Sequence, residues 1–210
     1  MLSRRRAIAD DSGFTLVELL LVIVVLGVIM VPLADVVLGA LRQTDQSAGR
    51  LAASHDTQLS AAYFAGDVAS LGTRSTVDPF DPALLTSIET NVAYNAGTFP
   101  CGTAGTPTAA VRFAWDDATS PTTTTIVTVA YVAVPAGPRF ELHRLRCNGT
   151  TLVSDLTLGR DLTAAPIVLC EGNPCAGGAP RTVTMRLSIQ DVRSREGAYT
   201  ITLNGNRRQE

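Results

Sequence analysis

One charge interrupts the first apolar run of this chain. From Phe14 to Ala34 the residues are apolar or small apart from Thr15 and Glu18, and Glu18 alone is ionisable. The run is about 21 residues long, roughly 30 Å as a helix, which matches the hydrocarbon thickness of a bilayer. Pro32 lies inside it. Proline lacks an N–H and crowds the preceding turn, so a kink is expected there. From Leu33 the pattern turns amphipathic. Leu33, Val37, Ala40, Leu41, Ala48, Leu51, Ala52, His55, Leu59, Ala62, Tyr63 and Leu71 recur mostly at steps of three and four. Arg42, Asp45, Arg50, Asp56 and Asp67 interleave with them as a polar face. The helix is predicted to run to about Ser70 and to stop near Leu71-Gly72. From Phe14 that is nearly 60 residues, roughly 85 Å. No compact domain of this size buries so long a helix. Its first half must be covered by lipid or by neighbouring subunits, its second half by the rest of the chain.

Beyond Gly72 the periodicity changes. Residues 72–110 are rich in Gly, Pro, Thr, Ser and Asn, with a turn at Asp78-Pro79-Phe80-Asp81-Pro82 and one short helix expected over Pro82–Thr90. Strands are then predicted at Val111–Trp115, Thr124–Val134 and Arg139–Cys147. The last alternates Phe140, Leu142 and Leu145 against Arg139, Glu141, His143, Arg144 and Arg146, with a phase slip near His143. Asn148-Gly149 signals a type I′ hairpin into Thr150–Leu156. Further strands are expected at Ile167–Cys170, Thr182–Ile189 and Ala198–Leu203, with a loop over Gly172–Pro180 and a frayed tail over Asn204–Glu210. A helix followed by a run of antiparallel strands is an α+β order.

The formal charge of −2 gives no long-range attraction to nucleic acid. All seventeen basic residues are arginine. Arg4, Arg5 and Arg6 precede the apolar run and should hold that flank in the cytoplasm. The four cysteines, Cys101, Cys147, Cys170 and Cys175, all lie on the opposite side, which is oxidising. Four cysteines allow three connectivities. Cys170–Cys175 around a small Gly/Pro loop and Cys101–Cys147 tying a loop to the sheet are favoured over metal binding, because paired C-x-x-C units are missing.

The N-terminal stretch resembles a type IV prepilin leader. The resemblance rests on Arg4 to Val31: Gly13 before a cut, Phe14 as the new N-terminus and Glu18 four residues beyond it. It implies a leader at 1–13, a transmembrane and filament-core helix at 14–34, its amphipathic continuation at 35–71 and an exported β-rich head at 72–210. It also implies a pilin-like fold, with the long helix packed on an antiparallel sheet. Prepilin peptidase would cut between Gly13 and Phe14 and methylate the new amine of Phe14. Glu18 would then neutralise the buried amine of a neighbouring subunit during assembly. Within the family the layout is similar to minor pilins and pseudopilins of the PilW/PulJ type. That closer likeness is carried by Gln58-Leu59, Phe64 and Asp67-Val68 late in the helix, Phe140-Glu141-Leu142-His143-Arg144, Leu152-Val153-Ser154-Asp155, and Tyr199-Thr200-Ile201 with Arg207-Arg208. The partners implied are prepilin peptidase, other pilins or pseudopilins, the inner-membrane assembly platform and the membrane itself. The protein would begin as a single-pass component of the cytoplasmic membrane, with its head outside, and end in a pilus or a type II secretion pseudopilus.

Other chemistry is weaker. An ordinary signal peptide has a shorter apolar core followed by a small-x-small cut. A plain anchor holding a surface adhesin stays open as an alternative, although it has no use for Glu18. No G-x-S-x-G or H-E-x-x-H pattern occurs, and there is no lysine for Schiff-base chemistry. Hence no enzyme, cofactor or metal is expected. His55 and His143 read as structural or surface residues. Asp116-Asp117 and the Asp78/Asp81 loop lack the spacing of a calcium loop. Trp115 reads as core, Asp35 as the external edge of the membrane run or a partner for another subunit's arginine, and Gly27 and Gly39 equally as small residues permitting bending or close helix approach and as small residues tolerated in lipid.

Overall fold

The structure, a computed structural model, describes residues 15–72, 87–120, 123–190 and 197–208. It contains one helix and nine strands among those residues: α1 (Leu16–Ala69), β1 (Ile88–Val92), β2 (Ala109–Ser120), β3 (Thr123–Ala136), β4 (Arg139–Asn148), β5 (Thr151–Leu162), β6 (Ile167–Cys170), β7 (Asn173–Pro174), β8 (Thr182–Ile189) and β9 (Tyr199–Asn206). The strands form one antiparallel, curled sheet in the order β1-β2-β3-β4-β5-β8-β6-β7, with β9 on β8. This is an α+β, pilin-like fold. Two compact units divide the chain, Met1–Ser47 and Ala48–Glu210.

In the second unit the last turns of α1 lie against β2, β3, β4, β8 and β9. The buried positions of the helix are Ser60, Phe64, Asp67, Val68 and Leu71. Of the expected stripe Leu71 is among them and Leu59 is half-buried beside them, but the rest of the buried set is different. Leu51 is 73% exposed, and Ala62 and Tyr63 face outward. The pattern misleads because two polar residues sit on the buried face. Ser60 donates its hydroxyl to the Leu158 carbonyl at 2.9 Å, and Asp67 is bonded from the sheet. Each has its polar atoms satisfied, which removes most of the cost of burial. Phe64, Phe113 and Tyr131 meet edge-to-face at 5.6 to 5.9 Å and form the centre of this core. Gly205 on β9 passes under Val68 so closely that an added Cβ would lie 2.5 Å from the Val68 Cβ.

The opposite face of the sheet is buried as well. Ala109, Ala130, Val132, Leu145 and Cys147 pack there beneath the segment that carries Cys101. Arg112 pins that segment. It is fully buried and donates to the carbonyls of Ala96, at 2.7 Å, and Ala93, with Glu89 3.5 Å away. Burial lowers its pKa, and the Glu89 charge offsets part of that. Cys101 is bonded to Cys147, and Cys170 to Cys175.

Burial on both faces removes the apparent phase slip of β4. Its register with β3 is unbroken from Ala136↔Arg139 to Val127↔Asn148. Phe140, Leu142 and Arg144 face the helix, while Leu145 and Cys147 face the second core. Arginine in the interior produced the irregular pattern; the register with β5 does shift at Leu142/His143, but there β5 steps two residues for one of β4, so the alternation of β4 is kept. Other expectations also change. The pairing Asn148↔Thr151 makes Gly149-Thr150 the centre of the hairpin, with a positive φ at Gly149 alone. That is the type II′ arrangement. The type I′ pattern appears at Glu171-Gly172, where both φ values are positive and Cys170–Cys175 bridges the turn. Ile88–Thr90 belongs to β1 and not to a short helix, because it pairs with β2. The rest of that expected helix, with Asp78 and Asp81, lies outside the described residues. Asn204 to Asn206 complete β9 and do not fray, since each residue has a partner on β8. Trp115 is half-buried against the first core.

Candidate functional site

In the first unit the helix starts at Leu16, and Thr15 is its N-cap. The Thr15 carbonyl accepts the Glu18 and Leu19 N–H groups at 3.0 and 3.1 Å, and its Oγ1 accepts the Glu18 N–H at 3.3 Å. Thr15-Leu16-Val17-Glu18 is thus a T-x-x-E capping sequence that sets Glu18 in the first turn. Sequence reasoning gave Thr15 no role, although this four-residue spacing was the available signal. An acid in the first turn also lies near the positive end of the helix dipole.

Beyond Glu18 the apolar surface is complete around the helix. Leu16, Leu20, Ile23, Leu26, Ile29 and Leu33 are all more than half exposed. A helix apolar on every side belongs in lipid or among other helices. The window of mean hydropathy 3.0 has none of its residues buried, and α1 is long and apolar enough to cross a membrane. Pro32 lies within the helix assignment, which continues on both sides of it. Glu18 is exposed and has no ion-pair partner among the described residues. Gly13 and Phe14, the expected cleavage and methylation positions, lie outside the described residues.

In the second unit a buried ion pair joins helix to sheet. Arg144 donates from Nε and an Nη to the two carboxylate oxygens of Asp67 at 2.7 and 2.6 Å, and the Tyr131 hydroxyl donates to the same carboxylate at 2.6 Å. Tyr131 and Arg144 are direct partners on the β3–β4 ladder, so Asp67 docks on one rung of the sheet. The Arg144 guanidinium also lies 4.8 Å from the centre of the Tyr63 ring. Burial, then the charge of Asp67, pushes the Tyr131 hydroxyl up. For Arg144, burial acts downward, but the Asp67 bonds and charge outweigh it and leave the pKa raised.

His143 lies in a surface network on β4 and β5. Its Nδ1 is 2.7 Å from Asp155, its Nε2 is 3.3 Å from Glu141, and Thr157 Oγ1 is 3.4 Å from that same nitrogen. Arg160 links Glu141 to Asp56 on the helix. Thr157, His143 and Asp155 have the order of a hydroxyl–imidazole–carboxylate relay, but the hydroxyl contact is long and Glu141 competes for the nitrogen. The arrangement is that of alternating charges on a strand surface. His55 is exposed beside Asp56. Among the described residues no group of three His, Cys, Asp or Glu side chains is placed to hold a metal ion.

Comparison with known proteins bears on the first unit. Residues 8–34 match the model for the prokaryotic N-terminal methylation motif. No curated protein and no solved structure gives a significant match. The motif marks chains processed as prepilins, whose family members are structural subunits. It covers the N-terminal flank, the cap at Thr15, Glu18 and the apolar helix as far as Ala34. That motif, laid on the long helix of a pilin-like α+β fold, supports a type IV prepilin-like or pseudopilin family for the chain.

Proposed function

We propose that this protein is a non-enzymatic subunit of a type IV pilus or type II secretion filament, built in as a minor component of the PilW/PulJ kind. Residues 1–13 are the leader, 14–34 the membrane and filament-core helix, 35–71 its continuation and 72–210 the exported head. Prepilin peptidase hydrolyses the Gly13–Phe14 peptide bond, leaving a carboxylate on Gly13 and an amine on Phe14, and then methylates that amine. The chain waits in the cytoplasmic membrane with its head outside until the assembly platform stacks it among other pilins or pseudopilins. The observation that carries this reading is the motif over residues 8–34, laid on a helix apolar on all sides with one acid in its first turn.

The electrostatics give Glu18 its task. A charge inside a bilayer costs roughly 3 kcal/mol or more. Removing one partner of a buried ion pair costs a similar amount, because it leaves the other charge uncompensated. A neighbouring subunit's Phe14 amine supplies the opposite charge at one axial stagger only. The pair therefore acts as a register device, and the apolar surface supplies the bulk of the contact.

Two measurements test this. Mass spectrometry of membrane-extracted protein should find an N-terminus at Phe14 carrying one methyl group. A chain that keeps Met1 while the peptidase is active supports the anchored adhesin instead. Glu18→Ala should be cleaved normally yet lost from sheared filaments. Normal incorporation of that variant removes the pairing role.

A further inference from the structure

We propose that the cleft between the last turn of α1 and the Arg207-Arg208 pair is a binding site for a small oxyanion, a carboxylate or a phosphate. The cleft has a volume of about 320 Å³ and is lined by Gly66, Ala69, Ser70, Leu71, Gly72 and the two arginines. That volume is at the low end for small-molecule sites and accommodates an anion of phosphate size with some of its water.

The two guanidinium groups are uncommitted. Neither forms an ion pair or a side-chain hydrogen bond among the described residues. The Arg207 Nε is sealed from solvent and has no acceptor. A buried donor without a partner is uncommon and points to a missing ion or water. Capping of the helix end does not account for the arginines. Ser70 N–H bonds the Gly66 and Asp67 carbonyls, Leu71 N–H bonds Val68, and the backbone N–H of Arg208 reaches the Ala69 carbonyl at 3.4 Å. The carbonyls of the last turn are thus taken by backbone donors, and both side chains remain free. Backbone bonding also fixes the pair, since the Arg207 N–H donates to the Arg181 carbonyl at 2.8 Å. Gly72 makes room for the Arg207 side chain at the cleft wall, because a Cβ there would come within 3.1 Å of the Arg207 Cδ and an Nη. Two planar forks of N–H donors beside a cleft match the oxygen spacing of carboxylate and phosphate.

The test uses full-length protein in maltoside micelles, with calorimetric titration of sodium phosphate and, separately, sodium acetate, against sodium chloride of equal ionic strength. Saturable binding of one or both anions is expected. Tighter phosphate binding identifies a free or lipid-borne phosphate as the ligand, and tighter acetate binding a protein carboxylate. Arg208→Gln, at an exposed position that should not disturb folding, should weaken binding about tenfold, and the Arg207→Gln/Arg208→Gln pair should abolish it. Arg186→Gln, on the exposed face of β8, should leave it unchanged. The proposal is overturned if neither anion binds saturably, or if Arg186→Gln weakens binding as much as Arg208→Gln does. Neither result bears on the filament reading, which concerns the first unit.

Discussion

Replacing Asp67 by alanine strands a guanidinium in the core. In the native protein Asp67 is 5% exposed and Arg144 8%, and three short hydrogen bonds converge on the carboxylate. The variant loses two charge-assisted bonds and one neutral donor's partner, and Arg144 is left to face the Tyr63 ring alone. Hydrogen bonds to charged groups contribute about 1.5–3 kcal/mol each, and removing one partner of a buried pair costs about 3–5 kcal/mol. The ring face returns about 1 kcal/mol to the stranded cation. The expected loss is therefore about 3 kcal/mol. At about 2–4 °C per kcal/mol for a domain of this size, the midpoint should fall by roughly 6–12 °C. The assay is thermal unfolding of the micelle-solubilised chain, followed by the strand signal in circular dichroism. A second variant separates the charge from the packing. Asp67→Leu with Arg144→Met and Tyr131→Phe removes both charges and the hydroxyl that donates to Asp67, and should unfold within about 1 kcal/mol of the native protein, since a buried pair barely repays its own desolvation. A loss below about 1 kcal/mol for Asp67→Ala, or equal damage in the triple variant, would refute the reasoning.

Three other outcomes follow from the two cores of the second unit. The Tyr131 pKa is raised above its value in the unfolded chain, so its contribution is complete below about pH 10 and declines as pH climbs toward the folded value. Stability measured by urea midpoint should fall above about pH 10, and Tyr131→Phe should flatten that slope. Gly205→Ala places a Cβ against Val68 and should cost about 2–3 kcal/mol in urea unfolding, with only partial rescue by Val68→Ala, which removes the γ carbons at 2.6 and 2.9 Å but keeps the Cβ at 2.5 Å. Replacing Cys101 and Cys147 together by serine opens a 46-residue loop and should lower stability by about 2–4 kcal/mol, measured by unfolding without reductant.

The long helix and most strands are legible because their patterns are strong. Leu16–Ala69 is preceded by a cap, contains a long apolar run with one acid near its start and is followed by a glycine. β3, β8 and β9 carry β-branched residues, and β4 carries spaced large apolar residues ahead of the Asn148-Gly149 turn signal. β1 is harder, because Ile88–Val92 is short, mostly polar and stabilised by a partner distant in the chain. The hairpin at Gly149 shows a further limit. Asn-Gly marks a turn, but its type depends on which two residues the flanking register leaves unpaired.

What the sequence determined by itself is local and covalent. An apolar run of spanning length, one acid four residues from its start, and an even set of cysteines on the far side are properties of the chain before it folds. They suffice for a prepilin-like N-terminus and an α+β order. The tertiary structure alone decided which face of the helix is inside and what the polar residues on it do. Hydrophobic patterning assumes that charges face water, and Asp67 and Arg144 break that assumption because each meets the other's hydrogen bonds from a distant part of the chain. Such compensation acts between residues separated by as many as 77 positions, and no local window contains both partners.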